Sequence, residues 1–208
     1  MHFLHRTSRA LSWSERSLRE QMLVVDAICD DLSIPKSIKT EICVLYRKAK
    51  ARKLVMGRDA RIVAAALTFL VARSRGLART EIEVARVLVK RYGMEQRAVV
   101  RNIRRTAKFM SQKFELKMRA VSCSDYVARF ATQLGLSDRE CEAAGRICRA
   151  VQPLLRSKSP RLAAAAVLYL STRGRGDITM QRISDLMGVG LASLSSTVKL
   201  FRERLAQV

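Results

Sequence analysis

The sequence predicts an all-α protein of two tandem five-helix domains, the second closing with a helix-turn-helix. Three observations lead there. Proline occurs only at 35, 153 and 160, so few positions forbid a helix interior. Apolar residues recur at three- and four-residue intervals almost everywhere, and no stretch alternates as a half-buried strand would. Finally, GRDARIVAAALTFL at 57–70 returns one hundred positions later as SKSPRLAAAAVLYL at 157–170. At that offset Arg61, Ala64, Ala65, Ala66, Leu70, Arg73, Arg75 and Gly76 recur as Arg161, Ala164, Ala165, Ala166, Leu170, Arg173, Arg175 and Gly176.

In chain order, helices are expected near 15–32 and 36–51, spanning the phrase DDLSIPKSIKTEICVLYRKA, which TQLGLSDRECEAAGRICRAV at 132–151 answers in altered form. A helix over 59–75 follows, with Gly57 and Asp59 at its start. Its Ala64 to Ala66 offer almost no side-chain volume, which suits the centre of a bundle where neighbours approach closely. Helices over 79–91 and 95–113 complete the first set. SQKFELKMRAVSC at 111–123 lacks helical period and marks the join. Beyond it come 124–134, 138–152 and 160–174. Ser159 serves the last of these as N-cap, and Pro160 fits its first turn, where no amide partner is missed. The helices over 179–187 and 191–206, with Gly188-Val189-Gly190 between them, form the helix-turn-helix. The expected organisation is a tail over 1–13, a first repeat over 14–117 and a second over 118–208.

With 208 residues, 49% of them apolar, the chain is long enough for two small cores. Forty Lys and Arg against eighteen Asp and Glu give a formal charge of +22. Such an excess points to a polyanionic partner. The five cysteines have no CxxC pair, no ordered disulfide spacing and no zinc-site spacing, which points to a reducing compartment and to buried, apolar roles. The longest apolar run, 62–72, is about half of the roughly 20 residues of a membrane span. An intracellular, soluble protein without metal or cofactor is expected. Catalysis is not: His2 and His5 are the only histidines, and no nucleophile–base pair, paired carboxylate or phosphate-cradling glycine loop is visible. Tyr46, Phe69, Tyr169 and Trp13 read as core aromatics rather than base-stacking platforms.

Three basic surfaces remain. In the last helix Leu194, Val198, Phe201 and Leu205 make an apolar stripe. Ala192, Ser196 and Lys199 stand opposite, with Ser195 and Arg202 at a flank and Gly190 and Ser193 at the start. That face suits a major groove, its small residues allowing close approach while Lys199 and Arg202 hold phosphates. Over 95–113, Arg97, Arg101, Arg104 and Lys108 line up without a carboxylate among them, and Lys90 and Arg91 precede them. The third surface is YRKAKARK at 46–53 with Gly57 and Arg58; Lys158 holds the equivalent place in the second repeat.

These residues carry a resemblance. SERSL at 14–18, LSIPKSIKTEICVLYRKA at 32–49, GRDARIVAAALTFLVARSRGLART at 57–80, DYVARFATQLGLS at 125–137, SKSPRLAAAAVLYLSTRGRGDIT at 157–179 and ISDLMGV at 183–189 occur in the order of the cyclin-like core of archaeal transcription factor B and eukaryotic transcription factor IIB. The resemblance implies a monomer bound to the TATA-binding protein on bent promoter DNA. The first repeat would meet the stirrup of that protein and DNA downstream of the TATA box, with Gly57 and Arg58 near the DNA. The second would meet DNA upstream, where family members read a purine-rich element. Residues Lys90, Arg91, Arg97, Arg101, Arg104 and Lys108 would face the TATA-binding protein or DNA backbone. The setting implied is an archaeal nucleoid, or a nucleus if the source is eukaryotic.

The sequence departs from the family pattern twice. It opens with MHFLHRTSRALSWSERSL, which by the resemblance falls inside the linker that follows the zinc ribbon through which family members recruit RNA polymerase, so a truncated version and an inhibitory paralogue are both open alternatives. So is a cyclin-like module that grips proteins and not DNA. In addition, Ala192 and Ser195 stand where the family has base-reading Val and Arg. An Arg–guanine contact is worth about 1–3 kcal/mol of discrimination, so a strong preference for the usual upstream element is not expected.

Overall fold

The computed structural model describes residues 13–207, side chains from Arg16 onward except those of 156 and 157. Most of the expected tail, with His2 and His5, and the side chain of Trp13 lie outside the described residues. Ten α-helices follow one another, and no strand occurs among the described residues. The chain divides into two compact units between Met118 and Arg119.

The first unit holds α1 (Trp13–Asp31), α2 (Lys36–Ala51), α3 (Ala60–Ser74), α4 (Glu81–Tyr92) and α5 (Gln96–Phe114). The second holds α6 (Cys123–Leu134), α7 (Asp138–Ala150), α8 (Pro160–Ser171), α9 (Met180–Met187) and α10 (Leu191–Leu205). In the first unit α3 is the axis, touching α1, α2, α4 and α5. In the second α8 takes that place, touching α6, α7, α9 and α10. Every residue from Ile62 to Ala72 is buried in α3, and Ala163 to Leu168 in α8. The alanine segments are therefore core on all sides.

Helix starts follow from side-chain caps. Thr80 with Glu83, Ser122 with Asp125 and Ser137 with Glu140 form reciprocal capping boxes at α4, α6 and α7. Ser159 accepts from the Leu162 amide at 3.3 Å, with Pro160 opening α8. Asp59 caps α3 through the Arg61 amide at 2.8 Å. Two expected helices end early. After Ala150, Pro153 supplies no N–H, and the chain tightens into a 3-10 helix over Gln152–Ser157. Helix α8 stops at Ser171, and Thr172 beyond it places both its amide and its hydroxyl on the Leu168 carbonyl, at 3.1 and 2.9 Å.

The two units close their first inter-helix turns alike. The Ile34 amide reaches back to the Cys29 carbonyl at 2.8 Å, and the Leu136 amide to the Ala131 carbonyl at 3.0 Å. The residue between must be left-handed. It is Gly135 (φ 63) in the second unit but Ser33 (φ 48) in the first. A Cβ in this region is strained, so Ser33→Gly is expected to stabilise the first unit by about 0.5–1 kcal/mol in denaturant unfolding. Ala65→Leu, which forces three more carbons between packed helices, is expected to cost about 1–3 kcal/mol in the same measurement.

Candidate nucleic-acid interface

The helix-turn-helix is built by a latch that sequence reading missed. Thr179 caps α9 through the Arg182 amide at 3.1 Å. At the other end Gly188 is left-handed (φ 61), and the buried Ser184 hydroxyl donates to the Val189 carbonyl at 2.7 Å. The Val189 amide returns to the Ser184 carbonyl at 3.1 Å. One serine thus holds both polar groups of Val189, fixing where α10 begins. Gly190 has ordinary φ (−70), and a Cβ there would meet the Ser193 Oγ at 3.6 Å, plain van der Waals contact. The turn depends on Gly188, not on Gly190.

On α10 the core takes Leu194, Thr197, Val198 and Phe201, with Leu205 half-buried. Ala192, Ser193, Ser195, Ser196, Lys199 and Arg202 are all exposed, as is Gly190. Ser196 and Thr197 both donate to the Ser193 carbonyl, at 3.1 and 2.8 Å. The Ser196 hydroxyl is accordingly engaged with its own helix. Gly190 gives α10 no side-chain cap, so the first-turn amides meet none from that residue.

In the first unit the turn before α3 is held by Arg58 itself. Its Nη1 donates to the carbonyls of Leu54 and Met56 at 3.2 and 3.3 Å, and its guanidinium lies 4.1 Å from the Phe109 ring centroid of α5. Arg58 is exposed, yet one edge serves the fold. Beside it a cavity of about 270 Å³ is lined by Gly57, Arg58, Asp59, Ile62, Asn102, Arg105 and Thr106. The structure thus adds Arg105 and Asn102 to Gly57 and Arg58, a grouping of residues far apart in the chain that local pattern could not show. The Asp59 carboxylate in that wall is answered by Arg61 at 2.6 Å, whose hydrogen bond holds its carboxyl below the usual range. Its cap is fully present above that usual value and is lost as pH falls through the lowered one. Lys158, the counterpart in the second unit, is half-buried where the 3-10 helix ends, its amide donating to the Leu155 carbonyl at 3.3 Å.

The stripe on α5 needs a correction. Arg97, Arg101, Arg104 and Lys108 are exposed, but a carboxylate does lie among them: Glu81 of α4 pairs with Arg104. Arg91 likewise pairs with Asp31 of α1, its Nε at 2.8 Å, and holds that carboxyl below its usual range. Sequence periodicity within one helix cannot register acids delivered by its neighbours. A cleft of about 520 Å³ between α4 and α5 has Ile82 and Val100 with Gln96, Arg97, Arg101, Arg104 and Arg105 around it, and Lys90 is exposed at the end of α4. The cysteine expectation also needs correcting: Cys29, Cys123 and Cys148 are buried, while Cys43 is half-buried and Cys141 exposed. Among the described residues, no group of His, Cys, Asp and Glu could hold a metal ion, and no helix is long and apolar enough to cross a membrane.

Fold and surface together define a class: tandem five-helix repeats with an alanine helix at each centre and a polar-faced helix-turn-helix closing the second. Family comparison agrees. The family model described as "Transcription factor TFIIB repeat" matches residues 14–97 and 116–204, and the chain belongs to this family. Its two units are cyclin-like all-α repeats. Among similar proteins is "Transcription initiation factor IIB" of Archaeoglobus fulgidus, 30% identical over 96% of this chain and 60% of its own length. The proteins of that name from Methanococcus maripaludis and Methanosphaerula palustris are also 30% identical over 96% of this chain and 58% of theirs. This chain therefore spans about 60% of the length of these relatives. A solved viral cyclin from herpesvirus saimiri aligns over 91% of this chain and 85% of its own at TM-score 0.36 and 17% identity, too loosely to bear on either fold or function.

Because Arg58 ties the turn to α5, Arg58→Ala is expected to destabilise the first unit by about 1 kcal/mol in urea unfolding without DNA, and Arg58→Lys to recover only part of it.

Proposed function

We propose that this protein acts as the DNA-clamping core of a TFIIB-like initiation factor, bound to promoter DNA that carries a TATA-binding protein. The carrying observation is the exposed face of α10. Six positions from Ala192 to Arg202 are small, hydroxylic or cationic and exposed, while the opposite stripe is in the core. Such a face on the second helix of a helix-turn-helix fits a major groove. Family membership and the +22 charge support the same reading.

Each group then has a physical role. Lys199 and Arg202 hold phosphates, and Ala192, Ser193, Ser195 and Ser196 let the helix axis approach the base edges without a bidentate reader. Gly57 and Arg58 meet the backbone at the start of α3, and Lys158 does so before α8. On α5, Arg97, Arg101 and Lys108 face the TATA-binding protein or DNA backbone. Arg91 and Arg104 contribute less there, since their carboxylate partners must be given up or shared. With Ser195 where the family has arginine, contacts to the upstream element supply affinity more than base choice.

A gel shift with TATA-containing DNA, with and without an archaeal TATA-binding protein, tests this reading. The full chain is expected to supershift the complex, its affinity falling steeply with salt. Lys199→Ala and Arg202→Ala are each expected to lower the salt slope by about 1 while weakening all upstream sequences alike. A chain that neither supershifts nor stabilises the complex at low salt contradicts the proposal.

A further inference from the structure

The five cysteines sit in unlike surroundings. Cys29 is buried in the first core, and burial pushes its thiol up to about 12. Cys43 is half-buried and also raised by burial, while Cys141 is exposed on α7. Cys123 and Cys148 alone are in contact, their Sγ atoms 3.4 Å apart with one thiol donating to the other. They are 25 positions apart and belong to different helices of the second unit.

We infer that Cys123 and Cys148 form a modification site, which an oxidant of the peroxide class converts to a disulfide between α6 and α7 and a dithiol restores. A sulfur–sulfur bond is about 2.05 Å long, so the sulfurs must close by roughly 1.3 Å. Both residues stand where the backbone can give. Cys123 is the first residue of α6, and Cys148 lies in the last turn of α7, just before the chain leaves α-helical geometry. Access is present on one side. A cavity of about 600 Å³ is lined by Ser122, Cys123, Gln152, Pro153, Leu155 and Pro160. Peroxide is far smaller than that opening.

Either thiol can donate to the other across the contact, and Cys123 is the one of the two that lines the cavity. One thiol of the pair gives up its proton and its sulfur attacks one peroxide oxygen, the O–O bond breaks, and hydroxide leaves as water with a proton, giving a sulfenic acid. The other sulfur then attacks that sulfur. The S–O bond breaks, and the oxygen departs as a second water with the second thiol's proton. Two thiols and one peroxide become one disulfide and two waters. In a reducing compartment the pair rests as the dithiol. Oxidation fastens the start of α6 to the end of α7, both of which pack on α8.

The test uses the full chain carrying Cys141→Ser, which removes the exposed thiol, treated with hydrogen peroxide and read by peptide mass spectrometry and thermal unfolding. The expected product joins the peptides of Cys123 and Cys148 with loss of two hydrogen atoms. It is reversed by dithiothreitol, and the second unit's midpoint rises by roughly 10 °C. Cys123→Ala and Cys148→Ala, each checked for native helical circular dichroism, are expected to give no cross-link, the remaining thiol of the pair stopping at a sulfenic acid that dimedone traps. The inference is overturned if Cys123 and Cys148 stay unmodified at peroxide levels that oxidise Cys141 in the parent chain. A cross-link made instead through Cys29 or Cys43, or oxidation of Cys148 beyond the sulfenic acid without a cross-link, overturns it equally. None of these readouts involves DNA.

Discussion

Ala64 to Ala66 and Ala163 to Ala166 are wholly enclosed, and four helices meet the helix that carries each set. A helix surrounded on all sides cannot direct large side chains every way and keep its neighbours at the 8–10 Å usual between helix axes. Alanine resolves the conflict, since it has the highest helix propensity and adds almost no radius. The larger apolar groups then come inward from the outer helices, as Ile42 and Tyr46 do from α2 and Phe130 and Phe201 from α6 and α10. The five-helix architecture of each unit follows from that division of bulk.

What the central helices position is their own beginnings. A buried helix must start at the surface, and its N-terminal turn needs a cap there; Asp59 and Ser159 provide it. The two starts nevertheless differ. In the first unit Arg58 folds onto Phe109, drawing α5 and its Arg105 toward the α3 start. In the second, the 3-10 helix reaches Lys158 with no such aromatic partner described, and cationic display moves instead to α10. Duplication fixed the core while leaving each surface free to diverge.

The fold was legible in the sequence because its signals are local or periodic: the alanine runs, the three proline positions, the cap residues Ser159 and Asp59, and the 3.6-residue stripes. Element ends drifted, α7 stopping at Ala150 and α8 at Ser171 short of the expected bounds. The site was legible only in part. Exposure of Ala192, Ser195, Lys199 and Arg202 follows from the phase set by Leu194, Val198 and Phe201, which a helical period dictates. The Ser184 latch, the Arg104–Glu81 pair and the approach of Asn102 and Arg105 to Arg58 do not follow from any period. Each joins residues of different elements, and only the packed chain reveals them.

The distribution of carboxylates gives the net charge its meaning. Asp59, Glu83, Glu95, Asp125 and Glu140 cap helices. Asp31, Glu41, Glu81 and Asp177 pair with Arg91, Arg75, Arg104 and Arg175, the pairs of Asp31 and Glu81 running between helices. Exposed pairs of this kind contribute only about 0–1 kcal/mol each, but they occupy much of the small acidic complement. The cations left over, on α5 and α10 and before α3, have too few acids in the chain to answer them. A protein with more anionic residues would bring these faces closer to neutrality by its own salt bridges. Here the surplus persists after folding, so the compensating negative charge must come from outside the chain, from counterions or an anionic partner.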